Sequence, residues 1–205
     1  MDLSRVGRHR PSAVEDGASL MYFTLTAKDN HDAKLMGADT VRLCEMQGIA
    51  PRLKDEKGMA SRVENNIRGF KAEFLFARLF NLPPPVVNVL SDGQIDFWLG
   101  EYSIDVKCSS KEDGPLIFDS PEKFTADIAV AYGQSGHDPR TLKLHGCIPR
   151  KTFFERAYRH DFGHGERYVV DSNNLDPIEK LWRLHVETNH SSGRGRKQQR
   201  MNNEK

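Results

Sequence analysis

The sequence predicts an α/β protein, with a central mixed β-sheet flanked by helices and a helical extension on its N-terminal side. Three observations carry this. Two long stretches of helical periodicity come first, near residues 26–47 and 59–81. Beyond Pro83-Pro84-Pro85 the apolar period changes from helical to two, as far as about residue 148. A helical pattern then returns at Lys151–Tyr158 and Pro177–Glu187. Helices that bracket a strand-rich block bury their apolar faces by packing on a shared sheet.

Each element has a local cause. Thr26 or Asp29 can cap the first helix, which runs to about Gln47 and stops at Gly48 and Pro51. The second spans about Met59–Asn81 and ends at the three prolines. PVVNVL (85–90) reads as a short strand and Ser91-Asp92-Gly93 as a turn. Gln94–Leu99 and Tyr102–Ser109 form a hairpin through Gly100-Glu101. Further strands are expected at Pro115–Phe118, Asp127–Gly133, Thr141–Ile148 and Tyr168–Val170, the central ones as a β-meander.

Composition narrows the class. The chain has 205 residues, 38% hydrophobic and 29% charged, enough for one domain with a substantial core. One domain is expected over 19–189, between basic segments at 1–18 and 190–205 that read as flexible. No apolar run nears the ~20 residues of a membrane span, and no apolar signal core opens the chain. Cys44, Cys108 and Cys147 lie far apart with no CxxC pair, which suits a reducing cytoplasm. The net charge of +1 is uneven: residues 191–205 hold five basic residues against one acidic. Such a tail, with Arg194, Arg196 and Lys197, can hold a polyanion near an otherwise mildly acidic body, or can simply be solvated.

The hairpin gathers chemistry. Strand alternation sets Ile104, Val106 and Cys108 on one face and Ser103, Asp105 and Lys107 on the other, polar one. The preceding strand leaves Gln94, Asp96 and Trp98 opposite Ile95, Phe97 and Leu99. Asp96 and Asp105 can therefore approach across the hairpin, with Lys107 beside them. Two carboxylates and an ammonium so placed suit a hard divalent cation and a water nucleophile. A solvated sheet surface with ordinary cross-strand ion pairs is the plainer reading. Asp-x-Lys alone means little, for Asp32-Ala33-Lys34 and Asp55-Glu56-Lys57 repeat it in polar surroundings.

A third carboxylate adds weight. On the second helix Val63, Ile67, Phe70, Phe74 and Ala77 form an apolar stripe, and Glu73 lies inside it. A carboxylate there needs either a buried cation or a metal shared with other acids.

Together these residues resemble the PD-(D/E)XK nuclease superfamily, with its restriction-endonuclease-like core: Glu73 in GFKAEFLFARLF, Asp96 in GQIDFWLG, Asp105 and Lys107 in YSIDVKCSS. The likeness covers about residues 58–158. Ile95 stands in place of the eponymous proline, and Asp105 where Glu is commoner. The resemblance implies a Mg²⁺-dependent (or Mn²⁺-dependent) DNA endonuclease, with a junction resolvase-like, structure-selective activity and a homodimer as sub-readings. By that resemblance Asp96, Asp105 and the Val106 carbonyl would bind the metal, Glu73 would serve a second ion or its water, and Lys107 would orient or help deprotonate the attacking water. A non-catalytic nucleic-acid-binding or assembly protein that keeps the fold is the alternative.

Other signals weigh less. Arg52, Lys54, Lys57 and Arg62 precede the Glu73 helix and could grip phosphates, or could form an exposed loop. His160-Asp161-Phe162-Gly163-His164 has metal-like spacing but sits in a Gly-rich loop lacking further soft ligands. His145 and Cys147 are expected on one strand face, packed rather than catalytic. Trp98 and Tyr102 flank the hairpin, where core or rim packing is a better default than base stacking.

Overall fold

The computed structural model describes residues 21–48, 58–87, 95–163 and 165–186. In chain order its elements are β1 (Met21–Thr24), α1 (Ala27–Met46), α2 (Gly58–Leu79), β2 (Phe97–Leu99), β3 (Tyr102–Ser109), β4 (Leu116–Phe118), β5 (Ile128–Gln134), β6 (Thr141–Pro149), α3 (Arg150–Arg156), β7 (Tyr158–Asp161) and β8 (Glu166–Val170). Residues 178–186 form a last helix, α4. Among the described residues no helix is long and apolar enough to cross a membrane.

The main sheet has five strands in the order β1-β6-β5-β3-β2. It is mixed, since β3 and β5 run parallel while every other pair in it is antiparallel. The expected meander is therefore corrected. A parallel pair needs a crossover, and residues 110–127 supply it. They carry β4 away into a second sheet, ordered β4-β8-β7. Residues 85–87 are irregular, so PVVNVL does not begin as a strand, and 88–90 lie outside the described residues. β1 and β7 were not expected.

The N-termini of α1 and β5 show how the sequence sets boundaries. The Thr26 hydroxyl accepts from the Asp29 amide at 3.1 Å, the N-cap that starts α1. Asp127 does not begin β5 but clasps it to β3, accepting from the Ser103 amide and hydroxyl at 2.8 and 2.6 Å.

Two cores lie on opposite faces of the main sheet. On one face α1 and α2 pack over Ile104, Val106, Val130, Leu142 and Leu144. Gly37 lets the two helices touch, since a Cβ there would stand 2.6 Å from Ile67 Cγ1 and 2.7 Å from its backbone nitrogen. A glycine inside a helix costs about 1 kcal/mol in propensity, so this close approach must repay it. Arg62–Glu45 (2.8 Å) and Arg78–Asp29 (2.6 Å) bridge the same helices. Phe76 of α2 meets Phe97 of β2 with ring centroids 5.2 Å apart, and both rings are buried. That contact fixes α2 against the hairpin edge. Removing the Phe76 ring should cost about 3–5 kcal/mol.

On the other face Ala129, Ala131 and Ile148 pack against Leu116, Phe118, Phe124 and Phe153. Phe118 and Phe124 stack at 4.2 Å, and Phe153 meets both edge-on. β3 is thus covered on both sides. The face bearing Ser103, Asp105 and Lys107 is not a solvent-facing polar surface, because the second sheet and its aromatic cluster cover it.

Candidate active site

The acids and the lysine meet at the edge of β3, where β2 stops. The two strands pair from Leu99↔Tyr102 to Phe97↔Ile104. One residue further out, the Asp96 amide still donates to the Ile104 carbonyl at 2.9 Å. Beyond that the Asp96 side chain takes over the ladder, its Oδ2 accepting from the Val106 amide at 2.7 Å. Within a strand a residue's amide and carbonyl leave on the same side, so the Val106 carbonyl also faces this edge.

Asp105 points to the second core and is fully buried. Its strand neighbour in β5 is Ala129, and that of Lys107 is Ala131. These two small residues leave the space that the longer side chains fill. The Ala-x-Ala in IAVAYGQ is the sequence signal for that space. Lys107 Nζ contacts Asp105 Oδ1 at 2.5 Å and lies 5.7 Å from the centre of the Phe118 ring. The Lys107 side chain remains 37% exposed, so the pair has one wet end and one dry end. The other carboxylate oxygen, Asp105 Oδ2, is buried with no N–H or hydroxyl donor, and what stands within hydrogen-bonding reach of this carboxylate is the carboxyl of Asp96, with which it can share a proton.

Electrostatics shows that Glu73 belongs to the same cluster. Burial, then the charge of Asp96, pushes the Glu73 carboxyl up to about 8, with Asp105 adding and Lys107 opposing. Asp96 is raised to about 7 by desolvation and then by Asp105, although its residue keeps solvent contact and water screens part of that effect. Asp105 is raised by burial, which outweighs the opposing ammonium of Lys107. Three carboxyl groups that resist ionising together invite either a shared proton or a cation. Glu73 Oε1 lies 3.8 Å from where a Cβ on Gly69 would be, so a bare glycine borders it.

The donor chemistry fits a hard divalent ion: carboxylate oxygens of Asp96, Asp105 and Glu73, and the Val106 carbonyl. Asp105 Oδ2, buried and faced by a second acid rather than by a donor, is the atom that a cation or a shared proton would serve best. The cluster is not a preassembled cage, however. Among the described residues no three His, Cys, Asp or Glu side chains are grouped to hold a metal ion.

The remaining candidates separate from this centre. Arg62 is tied to Glu45 of α1 and lies 11 residues before Glu73, about 16 Å along the helix. Arg52, Lys54, Lys57, Arg194, Arg196 and Lys197 lie outside the described residues, as do Asp55-Glu56-Lys57 and His164. His160 sits on β7 rather than in a loop, edge-on to Phe162 at 4.5 Å. Asp161 caps the following turn, accepting from the Gly163 and Gly165 amides.

His145 and Cys147 do not share a face. The register of β5 and β6 slips between Ala131↔Gly146 and Tyr132↔Leu144, leaving His145 as the extra residue of a bulge. Cys147 joins Leu142 and Leu144 in the helical-side core, while His145 Nε2 reaches the Glu112 carbonyl at 2.7 Å. Burial lifts the Cys147 thiol to about 11, which leaves no nucleophile there. Gly146 at φ 141° permits the bulge, because a Cβ would lie 2.2 Å from the Asp176 carbonyl oxygen. Trp98 is 61% exposed, against the expectation of packing.

No protein-family model, no curated protein and no solved structure matches the chain.

Proposed function

We propose that the protein is a metal-dependent DNA endonuclease of the PD-(D/E)XK type, with Glu73, Asp96, Asp105 and Lys107 as its working residues. The observation that carries this reading is the buried Asp105, held by Lys107 on one side and meeting only another acid, Asp96, on the other, with Glu73 as a third carboxyl of raised pKa. A structural ion pair has no use for three mutually repelling acids. An α/β architecture with a mixed five-stranded sheet is compatible with the restriction-endonuclease-like core.

Asp96, Asp105 and the Val106 carbonyl would hold Mg²⁺ or Mn²⁺, with Glu73 reaching toward the same or a second ion. The ion, when bound, supplies Lewis acidity to a phosphate oxygen and makes water a better nucleophile at neutral pH. The chain's own residues do the rest. The Val106 amide fixes the Asp96 carboxylate, and the second sheet keeps water from the inner side of Asp105. Lys107, packed against Phe118, presents donors at the wet end of its pair, where they can orient a water or stabilise charge developing on a phosphate. Such a centre cuts one strand, so two copies acting together would suit a duplex or a branched junction.

Supercoiled, linear and branched DNA incubated with Mg²⁺, Mn²⁺ or Ca²⁺ tests the proposal. Cleavage with Mg²⁺ or Mn²⁺, absent in EDTA and in Asp105→Asn, is the expected result. Binding of all three DNAs without cleavage under any ion would favour a non-catalytic nucleic-acid-binding role instead.

A further inference from the structure

On the side of α2 away from Glu73 lies a cleft of 380 Å³ between α1, α2 and the turn joining β5 to β6. Lys71 is two positions before Glu73, about 200° around the helix, so the two side chains leave α2 on opposite sides. The cleft is lined by Lys34, Arg68, Lys71 and Arg140 against only Glu64 and Asp138. Asp138 is already occupied by Arg140 at 3.3 Å.

Lys71 is the unusual member. It is 6% exposed, and its Nζ donates to the Pro139 carbonyl at 2.7 Å. Among the described residues no carboxylate comes within ion-pair range of it. Arg68 is likewise compensated only by neutral amides, donating to Gln134 Oε1 and Asn65 Oδ1 at 3.0 Å each. Asn30 brings a further buried carboxamide oxygen with no hydrogen-bond partner. An amide's two ends exchange by rotation, so the same group can instead offer its NH₂ to the cleft. A buried ammonium without a counter-charge is costly. Pinning the Pro139 carbonyl needs a donor but no charge.

We propose that this cleft is an oxyanion site for a phosphoryl group, held by Lys71 and Arg68 with Lys34 at its rim. The cationic excess matches a dianion, and a guanidinium beside an ammonium is a recurrent phosphate-binding set. The phosphoryl group can belong to a nucleic-acid backbone or to a small phosphorylated molecule. The inference does not rest on the nuclease reading, since it uses none of the four residues of that site.

Thermal melting of the full chain in EDTA, titrated with sodium phosphate against sodium chloride at matched ionic strength, tests it. The wild type and Glu73→Gln should both show a saturable rise in Tm with phosphate and none with chloride. Lys71→Met should abolish the rise, and Arg68→Gln should weaken binding at least about tenfold, the worth of one charge-assisted contact. Arg68 is only half-buried, so its variant keeps the test intact if Lys71→Met folds poorly. Absence of a phosphate effect in the wild type, or an equal effect in Arg68→Gln, overturns the proposal.

Affinity for a DNA oligonucleotide at several salt concentrations then separates the two sources. A salt slope shallower by about one per charge removed identifies the backbone phosphate. An unchanged slope, with phosphate binding lost, identifies a small phosphorylated ligand. A protein that cuts no DNA yet keeps the phosphate effect in Glu73→Gln would retire the nuclease reading and leave the oxyanion site standing.

Discussion

Lys107–Asp105 and Lys143–Asp113 are both lysine–aspartate pairs at 2.5 Å, and they are built inside out with respect to each other. In the first the carboxylate is 1% exposed and the lysine 37%. In the second the lysine is 10% exposed and the carboxylate 68%. The hydrogen bond from Lys143 holds Asp113 below the usual carboxylate range, as a salt bridge ordinarily does. Asp105 moves the other way, because burial outweighs the same kind of partner. What differs is which end of the pair has lost its water. Lys143 lies with its Nζ 6.0 Å from the centre of the Tyr22 ring, its charge answered at the surface. Asp105 has a charge only half answered, which is the condition of a group kept for binding or chemistry.

The contrast can be broken hardest at the lysines. Lys107→Ala should fold and lose cleavage by about 10²-fold or more, the scale of a lost electrostatic or general-base contribution. Lys143→Ala should leave cleavage rates unchanged in the same assay. Near-wild-type cleavage by Lys107→Ala would make the two pairs equivalent and remove Lys107 from the mechanism.

Charge removal at the aspartates comes next. Without metal, Asp105→Asn should melt at or above the wild type, since it relieves repulsion among three acids at nearly constant shape. It should also lose most of the rise in Tm that millimolar Mn²⁺ gives the wild type, a rise set by binding to the native state alone. Asp113→Asn should keep the whole Mn²⁺ effect. A wild type whose melting ignores Mn²⁺ would contradict the metal assignment.

pH separates the pairs by sign. Glu73 is raised to about 8 from the ordinary 4.5, and Asp96 is also raised from its ordinary 3.8, less firmly because its residue is exposed to water. The folded state therefore binds more protons than the unfolded one across that window, and metal-free stability falls as pH rises from about 5 to 8. Asp113, with its depressed pKa, contributes stability that is present above its unfolded pKa and lost only as pH falls through the lower folded one. Melting curves in EDTA at pH 5, 6, 7 and 8 should slope downward for the wild type and more gently for Glu73→Gln. Asp113→Asn should leave that slope unchanged. It should shift Tm by no more than about 2 °C at any of these values, the smallest effect of the set.

The sequence made much of this centre legible, for definite reasons. Thr26 and the three prolines bounded the long helices, and the apolar stripe of α2 isolated Glu73 as an acid needing explanation. The Gly100-Glu101 turn put Asp96 near Asp105. What escaped was long-range. The parallel pairing of β3 with β5 has no local signature, and β1 is only four residues long, too short for its alternation to stand out. The burial of Asp105 was hidden by strict alternation, which reads Ser103, Asp105 and Lys107 as a wet face. Those groups are covered because Asp127 answers Ser103 and Lys107 answers one side of Asp105. Lys71 lies at helical spacing between Ile67 and Phe74, the same kind of intrusion that singles out Glu73, but a lysine in a helix is ordinary and its long stem can reach solvent, so its burial has no sequence signature.

The bond from the Val106 amide to the Asp96 side chain gives the centre a built-in reporter. A ladder position ordinarily closed by backbone is here closed by one carboxylate, so its exchange with deuterated solvent is gated by that carboxylate alone. Asp96→Ala should turn Val106 from a slow to a fast exchanger while Ile104, still paired to β2, stays protected. A ligand that draws Asp96 off the strand will do the same, whereas an ion held with the Val106–Asp96 bond intact will keep the amide slow, so one amide resonance tells the two modes of binding apart.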